Sequence, residues 1–285
     1  MTSAALIEFR GVDKAFQVDS GLRPAVEGVE LQVASGEVVT LVGPSGCGKS
    51  TLLNMTAGLF APSRGEVRYA GAPVQGLNLK VGYMTQQDHL LPWRTVLDNI
   101  ALPLEVRGLD RRAREARARE LVALVGLEGF EAYYPSQVSG GMRKRCALAR
   151  LLAQDPETLL MDEPFGALDA QLRLALQIEL LRLVRALGKT VLFVTHDLDE
   201  AIALADRCAV FVGRPGRIMC TLEVTLGRER DLLSLRLDPA YVELTQQLWR
   251  LMAPSLVAGA ALTSAAKAGG AVAGGSAAGP AGARS

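Results

Sequence analysis

Cysteine is scarce in this chain of 285 residues. There are four, Cys47, Cys146, Cys208 and Cys220; no two form C-x-x-C, and neither histidine lies at a metal-ligand spacing from them. The pattern argues against a disulfide framework or a zinc site and fits a reducing compartment. Excess charge is also missing: the net charge is +1, which gives no electrostatic case for nucleic acid as the main partner. No apolar run reaches the roughly eighteen residues of a membrane span, and no basic stretch followed by an apolar signal core opens the chain. Service to a membrane is therefore expected to go through a partner. Internal repeats, sustained heptads and an N-K-x-D guanine motif are absent as well. What remains is globular in composition, with 49% hydrophobic and 21% charged residues, and long enough for a sizeable core.

The run Val38-Val39-Thr40-Leu41-Val42 reads as a buried strand ending at Gly43, with a helix over 49–59. Residues 6–9, 29–33, 65–69 and 81–84 read as further strands, and the pattern turns helical from Thr95 to about Leu152. Residues 111–126 carry apolar positions on one face and alternating charges on the other. The arginines of this helix, interleaved with Glu115 and Glu120 and lacking a stacking platform, read as a solvated face. Strands return at 158–161, 190–194 and 208–212, with a helix over 170–187. Strand-helix alternation indicates a parallel sheet, and the helical block that interrupts it reads as an insert. The fold class expected is α/β, a P-loop NTPase core with an antiparallel β region and an inserted α-helical subdomain. The core spans about 1–90 and 156–220, the helical subdomain about 91–155, and a strand/helix extension about 221–254. Residues 255–285, rich in Ala and Gly, read as a flexible tail.

Gly43-Pro44-Ser45-Gly46-Cys47-Gly48-Lys49-Ser50-Thr51 matches G-x-x-x-x-G-K-[ST] between strand and helix. Its glycines let backbone amides approach phosphate oxygens. Lys49 is placed for the β- and γ-phosphates, Ser50 for Mg²⁺ and Thr51 for the α-phosphate. Cys47 contributes a small side chain, and its place in the loop suggests a thiol open to alkylation. Farther on, Leu159-Leu160-Met161 ends in Asp162 and Glu163. At the C-terminal edge of a strand such acids face the phosphate crevice, Asp162 for the metal and Glu163 for the attacking water. Ser139-Gly140-Gly141-Met142 opens another helix and offers a second anion site. One nucleotide has no evident need of two such sites, so the second is expected to serve another chain's nucleotide, which implies a dimer.

Together these motifs closely resemble the ATP-binding-cassette ATPases over roughly residues 5–220. Ser139-Gly140-Gly141-Met142-Arg143 looks like the signature, Asp162-Glu163-Pro164 like the Walker B end, Gly166-Ala167-Leu168-Asp169 like the D-loop and His196 like the switch histidine. Gln86 falls at the Q-loop position, where it would sense Mg²⁺ and water, and Phe16 where an aromatic ring stacks on adenine; a core aromatic is the other account of Phe16. The resemblance implies ATP hydrolysis with Mg²⁺ and a head-to-tail dimer that places ATP between one phosphate loop and the other chain's signature.

Leu90 to Asn99, His196-Asp197-Leu198-Asp199-Glu200-Ala201 and Arg214-Pro215-Gly216-Arg217-Ile218 resemble the nitrate/sulfonate/taurine importer ATPases in particular. Those implied partners are a two-subunit permease and, indirectly, an extracytoplasmic solute-binding protein, with the ATPase on the cytoplasmic face of the membrane. An importer of another small solute, or a soluble cassette ATPase of nucleic-acid or translation machinery, is the alternative. Val138, Gln87-Asp88-His89, Lys144 and Cys146 depart from the usual pattern. Leu90, Leu91 and Trp93 form either interior packing or a dock for a permease helix.

Overall fold

The structure, a computed structural model, describes residues 5–19, 21–166 and 168–269, with side chains as far as 254. Two sheets form it. Strands β1 (Ala5–Val18), β2 (Gly21–Ala34), β4 (Arg64–Tyr69) and β5 (Ala72–Pro73) make an antiparallel sheet in the order β2-β1-β4-β5. The second sheet contains β3 (Val38–Val42), β6 (Val81–Met84), β7 (Thr158–Asp162), β8 (Thr190–Thr195), β9 (Arg207–Val212) and β10 (Arg217–Glu223), in the order β10-β9-β3-β8-β7-β6. Its strands run parallel except β10, which pairs antiparallel with β9. The expected core limit near 220 thus falls inside a strand of the main sheet.

Side chains alternate across a strand, so each central strand feeds two cores. Leu159, Met161, Val191 and Phe193 join the core under the helices. Leu160, Leu192, Val194 and Leu41 join the other, between the two sheets, with Leu52, Leu53 and Met55 of α1 (Lys49–Thr56). Burial on both faces explains why these strands read as continuous apolar runs.

The helical layer holds α2 (Val96–Val106), α3 (Arg111–Leu124) and α4 (Gly140–Ala153) between β6 and β7, then α5 (Ala170–Ala186) and α6 (Leu198–Leu204). Capping side chains start these helices: Thr95, Asp110, Ser139, Asp169 and Asp197 each accept a hydrogen bond from a backbone N–H of the first turn. The arginine face of α3 is solvated and internally paired, Arg111 with Glu115 and Arg117 with Glu120.

Helix α7 (Pro239–Gly269) docks through Tyr241, Leu244, Leu248 and Met252. Of the expected tail at 255–285, residues 255–269 continue this helix, whose backbone runs through Pro254 to Gly269. The alanine-rich composition that resembles a linker is also the best helix former. Residues 270–285 lie outside the described residues. Among those described, no helix is long and apolar enough to cross a membrane.

Candidate functional site

Strand register assembles the site. Val42 pairs with Thr195, Asp162 with Val194 and Met84 with Met161, so β3, β8, β7 and β6 end at one edge of the sheet. The loop 43–51, Asp162-Glu163, His196 and Gln86 leave the sheet there together, where open α/β sheets bind ligands.

Gly48 caps α1 with φ of 92°, a left-handed conformation, and a Cβ there would come 2.8 Å from the Ala25 carbonyl oxygen. Only glycine fits such a turn without strain. The N–H groups of the first turn of α1 are thereby turned toward a prospective phosphate. Lys49 is buried, and its Nζ donates to the carbonyls of Gly43 at 2.7 Å and Pro44 at 2.9 Å. That places its ammonium inside the concavity of the loop.

Cys47 corrects an expectation. It is fully buried, and burial pushes its thiol above the ordinary value, so it is shielded from alkylation in the folded protein. Cys47 packs into the core between the two sheets, and the turn Arg214-Pro215-Gly216-Arg217 lies against the phosphate-loop backbone. Arg214 Nη2 donates to the Ser45 carbonyl at 2.6 Å, Gly216 N donates to Ala25 O at 2.9 Å, and Glu27 N donates to Gly216 O at 3.0 Å. Sequence reasoning took this turn as a mark of subtype and missed that it buttresses the phosphate loop; nothing local reveals a contact across some 170 residues.

Ser50 Oγ donates to Asp162 Oδ1 at 2.9 Å. Desolvation pushes the Asp162 carboxyl above its ordinary value, the Ser50 hydrogen bond and Lys49 opposing and Glu163 reinforcing the shift. A half-buried carboxylate of this kind gains from a cation. Among the described residues no group of three or more His, Cys, Asp and Glu could hold a metal. Mg²⁺ does not need one: it uses one or two protein oxygens and completes its octahedron with phosphate and water. The hydroxyl-carboxylate pair fits that pattern.

Glu163 has φ of 47°, uncommon for a residue with a Cβ, and is held by its N–H donating to Val194 O at 2.9 Å. The twist aims the carboxylate at His196, whose Nδ1 lies 3.1 Å from Glu163 Oε2. A Cβ built on Gly166 would stand 3.8 Å from Glu163 Oε2 and 3.9 Å from Gln86 Nε2, so the carboxylate and the Gln86 amide converge over that glycine. Ala167, the next D-loop residue, lies outside the described residues. Arg173, which sequence reasoning did not single out, joins the D-loop to the histidine turn: it donates to Leu168 O at 3.1 Å and pairs with Asp197 at 2.9 Å.

Two candidates stand apart. Ser139 caps α4, its Oγ accepting from Met142 N at 3.3 Å, with Gly140 and Gly141 in the first turn. No hydrogen bond among the described residues joins 139–142 to the loop 43–51. Phe16 is no core residue: it is partly exposed on the β1–β2 hairpin and packs edge-to-face on Phe60, centroids 5.2 Å apart. The apolar loop divides as well, with Leu90 buried and Trp93 71% exposed.

A phosphate loop, two acids at the end of a parallel strand and a separate Gly-rich helix start define a cassette-type P-loop ATPase. The ABC transporter family profile matches residues 26–166. An ABC transporter ATP-binding protein of Methanocaldococcus jannaschii, itself uncharacterized, is 46% identical over 229 residues, covering 80% of this chain and 86% of that protein. The taurine import ATP-binding protein TauB of Burkholderia pseudomallei is 44% identical over 238 residues, covering 81% and 92%. Among solved structures, a dimeric post-hydrolysis ATP-binding cassette bound to ADP and Pi aligns with a TM-score of 0.69 at 32% identity, covering 78% of this chain and all of that one. The chain belongs to the ATP-binding subunits of ABC transporters, and it is an ATPase.

Proposed function

We propose that this ATPase powers uptake of a small anion such as nitrate, a sulfonate or taurine, working as a dimer under a membrane permease. The alignment of four strand ends at one sheet edge carries the catalytic half, because it sets Lys49, Ser50, Asp162, Glu163, His196 and Gln86 around one space. The separate Ser139 helix start carries the dimer: it is the anion-binding element that its own phosphate loop does not use.

The loop amides and Lys49 neutralise the triphosphate, Thr51 adds a hydroxyl at the α-phosphate, and Phe16 stacks on the adenine. Ser50, Asp162 and Gln86 would hold Mg²⁺, which would supply charge neutralisation to the phosphates. Glu163 accepts the proton of the attacking water, and His196 holds Glu163 in place and donates to the γ-phosphate. Ser139, Gly141 and Met142 of a second copy close the site from the far side. Catalysis is then chiefly positioning and charge neutralisation.

A groove of about 830 Å³ lies beside the helical layer, lined by Tyr83, His89, Leu102, Val106, Arg150 and Leu151. With Trp93 exposed nearby in sequence, it suits a short cytoplasmic helix of the permease. On this reading the chain works on the cytoplasmic face of the membrane, with substrate delivered outside by a solute-binding protein. The taurine import relative supports the substrate class.

Reconstitution with the co-purifying permease and binding protein tests this. Nitrate, taurine or an alkanesulfonate is expected to stimulate ATP hydrolysis, and Glu163→Gln to abolish it while leaving an ATP-dependent dimer on size-exclusion chromatography. Stimulation by none of the three overturns the substrate class; undiminished turnover of the variant overturns the role of Glu163.

A further inference from the structure

The segment 85–95 joins β6 to α2 and carries Gln86, and α4 grips it with three cations. Arg150 donates to the carbonyls of His89 at 2.8 Å and Asp88 at 2.7 Å. Arg143 pairs with the Asp88 carboxylate at 3.2 Å. Lys144 donates from Nζ to the carbonyl of Gln86 itself. His89 adopts φ of 45° within this grip, a conformation that a residue with a Cβ holds only when its surroundings impose it. Lys144 and Gln87-Asp88-His89 are among the positions at which the chain departs from the family pattern. The structure shows that these departures meet.

The geometry points to Lys144 as a positioning residue for Gln86, tying the Q-loop amide to the helix that begins at the signature. Three features carry this. Lys144 is buried although charged, and a buried ammonium is retained only where it is paired and hydrogen-bonded. Of the three cations, it alone reaches Gln86. Finally, it lies five positions along α4 from the Ser139 cap, so any displacement of the signature toward a nucleotide moves both together. Gln86 is thereby advanced or withdrawn at Glu163 by the same helix that offers Ser139.

The inference rests on Gln86 acting at the site as proposed above, and a double-mutant cycle on the full chain separates the two. Gln86→Ala, Lys144→Met and the double variant are compared by kcat and KM for Mg-ATP. Lys144→Met is expected to lower kcat about tenfold with KM unchanged, the effect of losing one charge-assisted hydrogen bond. In the Gln86→Ala background it is expected to cost nothing further. Independent, multiplying losses, or wild-type turnover of Lys144→Met, would overturn the positioning role while leaving Gln86 in place. Wild-type turnover of Gln86→Ala would sink the parent reading and this one with it. Should Lys144→Met fail to fold, Lys144→Gln keeps a donor without the charge and enters the same cycle, with an expected loss of about threefold.

Discussion

Glu163 shows how a single residue is made functional by its backbone. At φ of 47° it accepts a strain of about 1–2 kcal/mol, and in return its carboxylate turns out of the sheet to meet His196. The acid pair itself is plain in the sequence; the twist is not, because it is imposed by the neighbouring strand through Val194 O. Gly216 is the opposite case, a residue whose lack of a side chain matters. A Cβ there would overlap the Cys47 carbonyl, which is backbone and cannot step aside. Gly216→Ala is expected to displace the phosphate loop and weaken ATP binding at least tenfold. Equilibrium nucleotide binding checks this, with thermal unfolding to show that the fold survives. Phe60, the aromatic partner of Phe16, had no local signal either; it lies beyond the end of α1 and meets Phe16 only through the fold.

At the scale of elements, the central strands were legible because burial on both faces makes them apolar throughout, and β6 runs over 81–84 as read. The hairpin of β1 and β2 was legible only at its ends. Register shifts between Phe9 and Val12, Val12 and Lys14, and Lys14 and Ala15 break the alternation that identifies a strand. Strand β10 escaped notice for a related reason, being an edge strand with exposed and half-exposed positions alternating. Helix α2 is anchored by a residue that reads as ordinary. Asn99 is fully buried; its Oδ1 accepts from Leu91 N at 2.8 Å and its Nδ2 donates to Leu91 O and Arg94 O. It thus holds the loop that presents Trp93. Asn99→Leu removes the partner of Leu91 N and of Arg94 O, while Leu91 O keeps the Arg94 N–H, and is expected to cost about 3 kcal/mol, measured by urea denaturation.

At the scale of the whole molecule, a site shared between chains makes a prediction that no self-contained site would. In the proposed dimer, Lys49→Ala removes one half of each composite site. Ser139→Asp removes the other, since aspartate still caps α4 but sets a negative charge against the triphosphate. Each variant alone is expected to be inactive. Mixed in equal amounts, half the dimers are hybrids holding one intact site, so about a quarter of wild-type activity is expected to return if the sites act independently. Phosphate release from the mixture checks this, and no recovery at any ratio would count against the shared site.

The sequence by itself determined the chemistry: a loop of nine consecutive residues, an acid pair closing an apolar strand and a capped Gly-rich helix start are local patterns, each defined by neighbours in the chain. It determined the parallel core for the same reason, since burial on both faces writes itself into every central strand. Tertiary structure alone decided which of these pieces share a space. The register of β3, β8, β7 and β6 gathers the phosphate loop, the acid pair, His196 and Gln86 at one edge. The turn at 214–217 buttresses the phosphate loop, and Lys144 reaches across to Gln86. These are contacts between residues distant in the chain, whose partners are chosen by packing and hydrogen-bond satisfaction rather than by any local preference.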